Sequence, residues 1–347
     1  MYIRKILVAI ALLGVLGGAI FAYVIYGKFF SPNTAFNNEE AHIYVRTDDT
    51  YEDVRAELEP LIEDIESLDA VALRKGYPNN IKPGHFIIKK GSNNNEIVNS
   101  IRSGNVPVTI SFNNQERVED LAGRIAQQLE ADSLSLVKAL KDTTFLKEQG
   151  LTPATAMTLY LPNSYQFYWN TDALGFREKM VNEHDRFWNE ERINKAKKLN
   201  LSPEQVYTLA SIVQKETAKN DEKPRVAGVY LNRLKNGWKL DADPTVIYAV
   251  KKTEGDFNKV IKRVLYKDLE TDSPYNTYKY AGLPPGPIFM PDLSSINAVL
   301  NPEDHNYYFF VADVSKPGYH MFARNVGEHN ANRRQYIQWI NKQGINR

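Results

Sequence analysis

The stretch SPEQVYTLASIVQKETAKN, residues 202–220, predicts an amphipathic helix that carries a carboxylate, Glu216, at the edge of its apolar face. Ser202 is a suitable N-cap, Pro203 suits the first helical position, and Gln205 stands three residues past the cap. Apolar residues then recur at i, i+3, i+4 and i+7, and the buried stripe that they predict consists of Val206, Leu209, Ala210 and Val213.

Glu216 and Thr217 fall near the edges of this stripe, whereas Lys215 points the opposite way. A carboxylate beside a buried stripe loses hydration, which favours its neutral form and raises its pKa. A general acid requires that protonated form at neutral pH. Because most helical glutamates are solvated or paired, the pattern alone leaves the functional and the structural interpretation of Glu216 equally open.

Length and composition restrict the classes of protein to which the chain can belong. The chain has 347 residues, enough for two or three domains, and its 43 basic and 42 acidic residues leave a net charge of +1. No overall field therefore favours nucleic acid, and we predict no nucleic-acid partner. The absence of cysteine excludes thiolate zinc sites, disulfides, a cysteine nucleophile and a lipoprotein anchor.

Residues 6–26 form a run without charge, and a run of this length crosses the hydrocarbon core of a bilayer. Arg4 and Lys5 precede this run and Lys28 follows it before a polar stretch, so the positive-inside bias places the N-terminus in the cytoplasm. A cleaved signal peptide is the alternative. The long apolar run favours an uncleaved, single-pass anchor in the cytoplasmic (inner) membrane, with the rest of the chain periplasmic or extracytoplasmic.

Hydrophobic patterning predicts an α+β chain. Strand-like clusters at residues 43–45, 84–88 and 106–112 surround a helix capped by Asn93, and this small module resembles a carbohydrate-binding module of the LysM kind. One long charged helix is predicted over residues 176–200. The predicted organisation is a cytoplasmic tip and transmembrane anchor at 1–27, a tether at 28–41, the LysM-like α+β module at 42–112, a helical connecting region at 113–200, and a mixed helical and loop-rich C-terminal catalytic domain at 201–347.

Motifs for most other chemistries are missing from the sequence. The histidines show no metal-ligand spacing, and no phosphate-binding glycine loop or serine nucleophile elbow is present. We therefore predict no metal and no cofactor. Carboxylate chemistry remains, with Glu216 as the first candidate and Glu222 and Asp243 in the same region. The six histidines are His42, His85, His184, His305, His320 and His329.

Six motifs follow Gln205 in a fixed order: LASIVQKET (209–217), RVAGVYLNRL (225–234), LDADPTVIYA (240–249), YNTYKYAGLPPGPI (275–288), NPEDHNYYFFVAD (301–313) and HMFARN (320–325). In their order and spacing they resemble the MltG (YceG-like) endolytic murein transglycosylases. The upstream LPNSYQF stretch, the module and the N-terminal anchor are also similar to that family. The resemblance therefore covers nearly the whole chain.

The resemblance implies a peptidoglycan lytic transglycosylase, a lyase of cell-wall biogenesis that works beside peptidoglycan synthases. Such an enzyme cleaves nascent glycan strands between N-acetylmuramic acid (MurNAc) and N-acetylglucosamine (GlcNAc) and leaves 1,6-anhydro-MurNAc ends, which terminates strand elongation. One carboxyl group can serve as acid and then as base. The alternatives are a muramidase-type hydrolase, with Glu222 or Asp243 as second carboxylate, and a non-catalytic glycan-binding scaffold.

The family motif often reads ASIVEKET, with two glutamates. This chain has Gln214 at the first position, so the resemblance implies that Glu216 is the catalytic acid, while the role of Thr217 stays open. Asn232 fits a buried structural amide equally well, and Asp243 before Pro244 is typical of a turn or cap. Matched positions imply a set of substrate-binding candidates, Asn232, Asp243, Thr245, Tyr275, Asn276 and Tyr278.

Overall fold

The computed structural model describes residues 2–342, and its contacts divide the chain into two compact units. The first unit runs to Ile110 and includes two short later segments, 128–131 and 165–172; the second contains the remainder. Helices and antiparallel strand pairs occur together, so the predicted α+β class is confirmed. Residues 113–200, predicted as a separate connecting region, lie mostly in the second unit.

An apolar helix, α1, spans Tyr2–Phe30. Among residues 2–342 it is the one helix that is long and apolar enough to cross a membrane, with a mean hydropathy of 2.5 over its most apolar window. Its apolar side chains are exposed, as the lipid-facing surface of an anchor would be.

The core of the first unit is formed mainly by a two-stranded antiparallel sheet and three helices. In the sheet, Ile43 pairs with Phe86, and both side chains are buried in the core. The helix that begins at Tyr51 ends at Leu58, and the chain continues as a 3-10 turn, Glu59–Leu61. The elements are β1 Glu40–Val45, α2 Tyr51–Leu58, α3 Ile65–Arg74, β2 Gly84–Lys89 and α4 Asn94–Ser103.

The segment predicted as a tether, residues 28–41, packs within this unit. Helix α1 continues to Phe30, and Asn33 is buried. The Asn33 amide donates to Asn94 Oδ1 at 2.7 Å and to the carbonyl of Asp64 at 2.9 Å. Because a buried amide must be satisfied by partners, these bonds hold the segment in place.

The second unit is mainly helical. The long helix predicted over residues 176–200 is wrong: Asn189 accepts from the Arg192 amide and caps a new helix, so two helices occupy the range. The helices are α5 Val118–Ala126, α6 Ser133–Leu140, α7 Thr143–Glu148, α8 Ala173–Phe187, α9 Glu190–Lys198, α10 Pro203–Glu216, α11 Lys223–Lys235, α12 Asp243–Glu254, α13 Tyr266–Leu269, α14 Leu293–Leu300 and α15 Val326–Lys342.

The remaining strands are short. β3 and β4 each contain a point where the chain passes from one unit to the other, whereas β5 pairs antiparallel with β6 inside the second unit, with Phe310 opposite Phe322. Helix α10 is central to this unit because it packs on α11, α12 and α14. The strands are β3 Val108–Phe112, β4 Asn163–Phe167, β5 Phe309–Ala312 and β6 His320–Ala323.

Candidate active site

Helix α10 has the predicted start and ends at the carboxylate of interest. Ser202 and Gln205 form a reciprocal capping box, and Pro203 is the first helical residue. The four stripe residues Val206, Leu209, Ala210 and Val213 are completely buried, as predicted. The helix ends at Glu216, where the following residue, Thr217, is buried in an extended conformation and its hydroxyl accepts from the Lys219 amide.

Glu216 is held by a tyrosine of the next helix. The Tyr230 hydroxyl of α11 donates to Glu216 Oε1 at 2.7 Å, while Tyr230 itself is only 1 % exposed and packs edge-to-face on Phe310. Glu216 as a residue remains partly exposed. The site therefore contains one carboxyl group, which the buried Tyr230 holds in a fixed orientation.

Burial raises the pKa of Glu216 from its ordinary value of 4.5 to about 7. The hydrogen bond from Tyr230 opposes this shift because it stabilises the carboxylate; the negative charge of Asp243 adds to it, and the Arg233 guanidinium opposes it. A carboxyl with a pKa near 7 is protonated in about half of the molecules at neutral pH, and it can both give and take a proton there.

The groups next to Glu216 are themselves anchored. Burial raises the pKa of Tyr230 well above its ordinary value, and the Glu216 charge adds to that shift, so Tyr230 stays a hydrogen-bond donor. Arg233 donates to the carbonyls of Tyr308 and Leu240, each at 2.7 Å. These bonds attach the start of β5 and the loop before α12 to helix α11.

Asp243 and Tyr278 form the accessible part of the predicted substrate-binding set. The Tyr278 hydroxyl donates to Asp243 Oδ1 at 2.7 Å, and Asp243 is exposed at the first position of α12. Burial raises the pKa of Tyr278, and the charge of Glu216 adds to the shift. The negative charge of Asp243 contributes to the raised pKa of Glu216, and Tyr278 contributes to the raised pKa of Tyr230.

Three other predicted substrate-binding residues are buried. The Thr245 hydroxyl donates to the carbonyl of Ala242, and the Asn276 amide donates to the carbonyls of Leu269 and Thr271. Tyr275 is 3 % exposed and packs on Tyr248. Asn276 also accepts from the Tyr278 amide through its Oδ1, so it helps to hold the backbone of the Tyr278 loop.

Asn232 lies on α11 but is turned toward a different part of the unit. Its amide donates to the carbonyls of His305 and Tyr307 at 2.8 and 3.1 Å. It also lines a cavity with Leu199 and Lys235. These contacts favour the structural interpretation that the sequence left open for this residue.

Glu222, another candidate carboxylate, is buried, and both of its oxygens contact His320. Its Oε1 accepts from the His320 amide at 2.7 Å, and its Oε2 lies 2.9 Å from His320 Nδ1. The pair joins the start of α11 to β6. Glu222 therefore has a structural role that accounts for its burial.

Gln214 lies on another face of α10 and is fully engaged. Its Oε1 accepts from Lys223 Nζ at 3.1 Å and from the Ser295 hydroxyl at 2.5 Å, and its Nε2 donates to Asp292 Oδ2 at 2.9 Å. Lys223 is 1 % exposed. This cluster fastens α10 to α11 and α14. Within residues 2–342, no group of three or more histidine, aspartate or glutamate side chains could hold a metal ion.

Comparisons with known proteins identify relatives of this chain. The family model described as "YceG-like family" matches residues 43–335. The endolytic murein transglycosylase of Bacillus subtilis (strain 168) is 29% identical over 275 residues, covering 75% of this chain and 74% of that protein. The protein of the same name from Streptococcus pneumoniae (strain D39) is 34% identical over 141 residues, covering 41% of this chain and 25% of that protein.

A solved structure shares the fold. The crystal structure of a YceG-like protein from Listeria monocytogenes superposes with a TM-score of 0.56 at 27% sequence identity, covering 85% of this chain and 99% of that one. The family match extends over most of the chain and includes every motif around Glu216. The chain belongs to the YceG-like family.

Proposed function

We propose that this protein is an endolytic peptidoglycan lytic transglycosylase and that Glu216 is its catalytic acid and base. The observation that carries the proposal is the single oriented carboxyl with a pKa near 7 at an accessible edge of the second unit. Its relatives in Bacillus subtilis and Streptococcus pneumoniae bear the name of that activity.

The reaction needs one proton donor that becomes a proton acceptor. Protonated Glu216 donates to the glycosidic oxygen between MurNAc and GlcNAc, the C1–O bond breaks, and an oxocarbenium-like centre develops at C1. The Glu216 carboxylate then takes the proton from the 6-hydroxyl of the same MurNAc as its oxygen bonds to C1. No water is consumed, Glu216 is regenerated, and a 1,6-anhydro end remains.

Tyr230 is proposed as a positioning residue for this proton transfer. Its bond occupies Glu216 Oε1, whereas Oε2 accepts no hydrogen bond from any group within residues 2–342. A carboxyl fixed through one oxygen can direct the other toward the substrate without a rotational search. Asp243 and Tyr278 are the proposed substrate contacts; Thr245, Tyr275 and Asn276 support them from behind.

A hydrolytic mechanism has less support. Hydrolases of the usual kind need a second carboxylate as nucleophile or water base, and both oxygens of Glu222 are bonded to His320. Asp243 is the remaining candidate for that role. A non-catalytic scaffold would gain nothing from a desolvated carboxyl with a raised pKa, which is a cost to the fold.

The setting of the enzyme is also part of the proposal. We propose that α1 anchors the chain in the cytoplasmic membrane with both units outside, and that residues 42–112 act as a LysM-like glycan-binding module. A peptidoglycan synthase is the proposed neighbour, since it supplies the nascent strand. The functional domain boundaries are proposed at residues 28, 42, 113 and 201.

Product analysis tests the reaction. The full chain is incubated with nascent, uncrosslinked glycan, and the ends are identified by mass spectrometry. We expect 1,6-anhydro-MurNAc ends from the wild type and a loss of about 10³-fold in Glu216→Gln, because general acid catalysis contributes on that scale. Glu204→Gln, in the first turn of the same helix, is the matched control and should remain active.

Two results would contradict the proposal in different ways. Undiminished anhydro ends from Glu216→Gln would remove Glu216 from the reaction. Reducing ends that have gained a water, abolished by Asp243→Asn, would make the protein a hydrolase that uses Asp243 as its second carboxylate.

A further inference from the structure

The end of α1 is built into the first unit. The Asn94 amide, at the first position of α4, donates to the carbonyl of Lys28 at 2.8 Å and to the Ser67 hydroxyl of α3 at 2.8 Å. Phe29 packs against the core of the same unit. Helix α1 therefore does not end in a flexible linker, and its axis fixes how α3 and α4 are held.

The charge pattern of α1 sets the depth of these elements in a bilayer. The uncharged run of α1 ends at Gly27, and Lys28 is the first charge after it. A run of this length spans about 30 Å, the thickness of a hydrocarbon core. If α1 crosses the membrane, Lys28 lies at the headgroup layer, and the start of α4 lies there too because Asn94 is bonded to Lys28.

The adjoining end of α3 is cationic. The Arg74 guanidinium lies 5.9 Å from the centre of the Phe29 ring, and Lys75 Nζ donates to the carbonyl of Asn95 at 3.3 Å. Leu73, the preceding residue, is 64 % exposed. An exposed leucine beside two cations is the composition of a surface that contacts lipid headgroups.

Among the described residues, these cations have no acidic partner. Within residues 2–342, no carboxylate lies within 4 Å of Lys28, Arg74, Lys75 or Arg102. Burial lowers the pKa of Lys75, and repulsion from Arg102 adds to the shift. An external anion would relieve this repulsion.

We propose that the first unit rests directly on the outer headgroup layer of the membrane through a juxtamembrane surface formed by Lys28, Leu73, Arg74 and Lys75. The partner is acidic phospholipid: its phosphates pair with the three cations, and Leu73 enters the interface. The proposal rests on the proposed membrane anchor. Its consequence is that the first unit is held at a fixed height, next to the surface from which nascent glycan emerges.

Site-specific labelling of the full chain tests this contact. Because the protein has no cysteine, Leu73→Cys can be labelled uniquely with an environment-sensitive fluorophore in reconstituted vesicles. In vesicles containing phosphatidylglycerol we expect emission at shorter wavelength and quenching by a headgroup nitroxide, and both effects should shrink in phosphatidylcholine alone. Arg74→Glu with Lys75→Glu should abolish the difference between the two vesicles.

The control label is Glu52→Cys, an exposed site on α2, which should report water in both vesicles. A water-like Leu73 label in protein that floats with the vesicles would overturn the headgroup contact and leave the anchor intact. Protein that fails to float would overturn the contact and the anchor together. Neither result would affect cleavage of soluble glycan strands, so failure of the proposed activity is scored separately.

Discussion

Two polar side chains of α10, Gln214 and Glu216, stand two residues apart and have opposite surroundings. Gln214 uses both of its polar atoms within the protein and joins three helices. Within residues 2–342 Glu216 accepts one hydrogen bond, from Tyr230, and burial raises its pKa to about 7. A polar side chain whose hydrogen bonds are all made within the protein stabilises the fold. A polar side chain with an unused hydrogen-bonding atom is available for chemistry.

The difference between the two side chains supports the proposal that one glutamate carries the reaction. In the cluster around Gln214, Lys223 needs an acceptor, and the amide oxygen of Gln214 provides it without a proton that could be transferred. A carboxylate at that position would pair with Lys223 and would face Asp292 as well. Its pKa would then be held down by the cation, which is unsuitable for a general acid at neutral pH.

The largest effect on stability is expected from removing the hydrogen-bond acceptor that Gln214 provides for Lys223. Gln214→Leu leaves the buried ammonium of Lys223 with Ser294 as its hydrogen-bond acceptor, and we expect the free energy of unfolding to fall by about 3 kcal/mol. Denaturant unfolding in detergent measures the change.

A double-mutant cycle provides the control for that loss. Gln214→Leu combined with Lys223→Met removes both partners, so the double variant should be more stable than the sum of the single losses predicts. Strict additivity would show that the two side chains are not coupled. The claim that Gln214 stabilises the fold through its bond to Lys223 would then be wrong.

The next effect has the opposite sign. Glu216→Gln removes a carboxylate whose folded-state pKa is raised, so it should stabilise the protein where that group would be charged. The penalty is absent below pH 4.5, grows between 4.5 and about 7, and is complete above 7. We expect a gain on the order of 3 kcal/mol at pH 8 and none at pH 4.

Thermal unfolding of both proteins at the two pH values measures this gain. Glu204→Gln is again the matched variant, and its stability should follow the wild type across the same range. A Glu216→Gln protein that is less stable than the wild type at pH 8 would mean that the carboxylate is stabilising. The conclusion that the site is held at a cost to the fold would then be wrong.

Local signals predicted one side of the site well. The cap at Ser202, the buried stripe and the position of Glu216 at its edge all follow from helical spacing over a few residues. Long-range partners could not be read in this way. Tyr230 comes from the next helix, and its position in the RVAGVYLNRL motif is the one sequence signal that points to it.

The predicted substrate-binding residues show a second limit of prediction from the sequence. Residue type cannot distinguish an amide that binds sugar from one that binds its own loop, and Asn276 and Asn232 are both bonded to backbone carbonyls. The helix predicted over residues 176–200 failed for a related reason. Its charged pattern continues through Asn189, but the capping bond of that residue starts a new helix.

The smallest expected effect concerns the bond between Tyr230 and Glu216. The hydrogen bond favours the carboxylate, so Tyr230→Phe should raise the pKa of Glu216 further. Wild-type activity should decline as pH rises through about 7, because the acid loses its proton there, and this decline should move to higher pH in the variant. At pH 6, where both acids are protonated, we expect about a tenfold loss from the poorer orientation of the carboxyl.

The pH profile separates this role from a merely structural one. A residue that only filled space would lower activity equally at every pH, and its loss would leave the midpoint of the decline in place. Tyr278→Phe is the matched control, because Tyr278 donates to Asp243 instead of Glu216. Removing the Tyr278 hydroxyl leaves the hydrogen bond from Tyr230 to Glu216 in place, so any shift should be smaller than that of Tyr230→Phe. A midpoint that stays fixed in Tyr230→Phe would contradict the view that Tyr230 sets the proton affinity of Glu216.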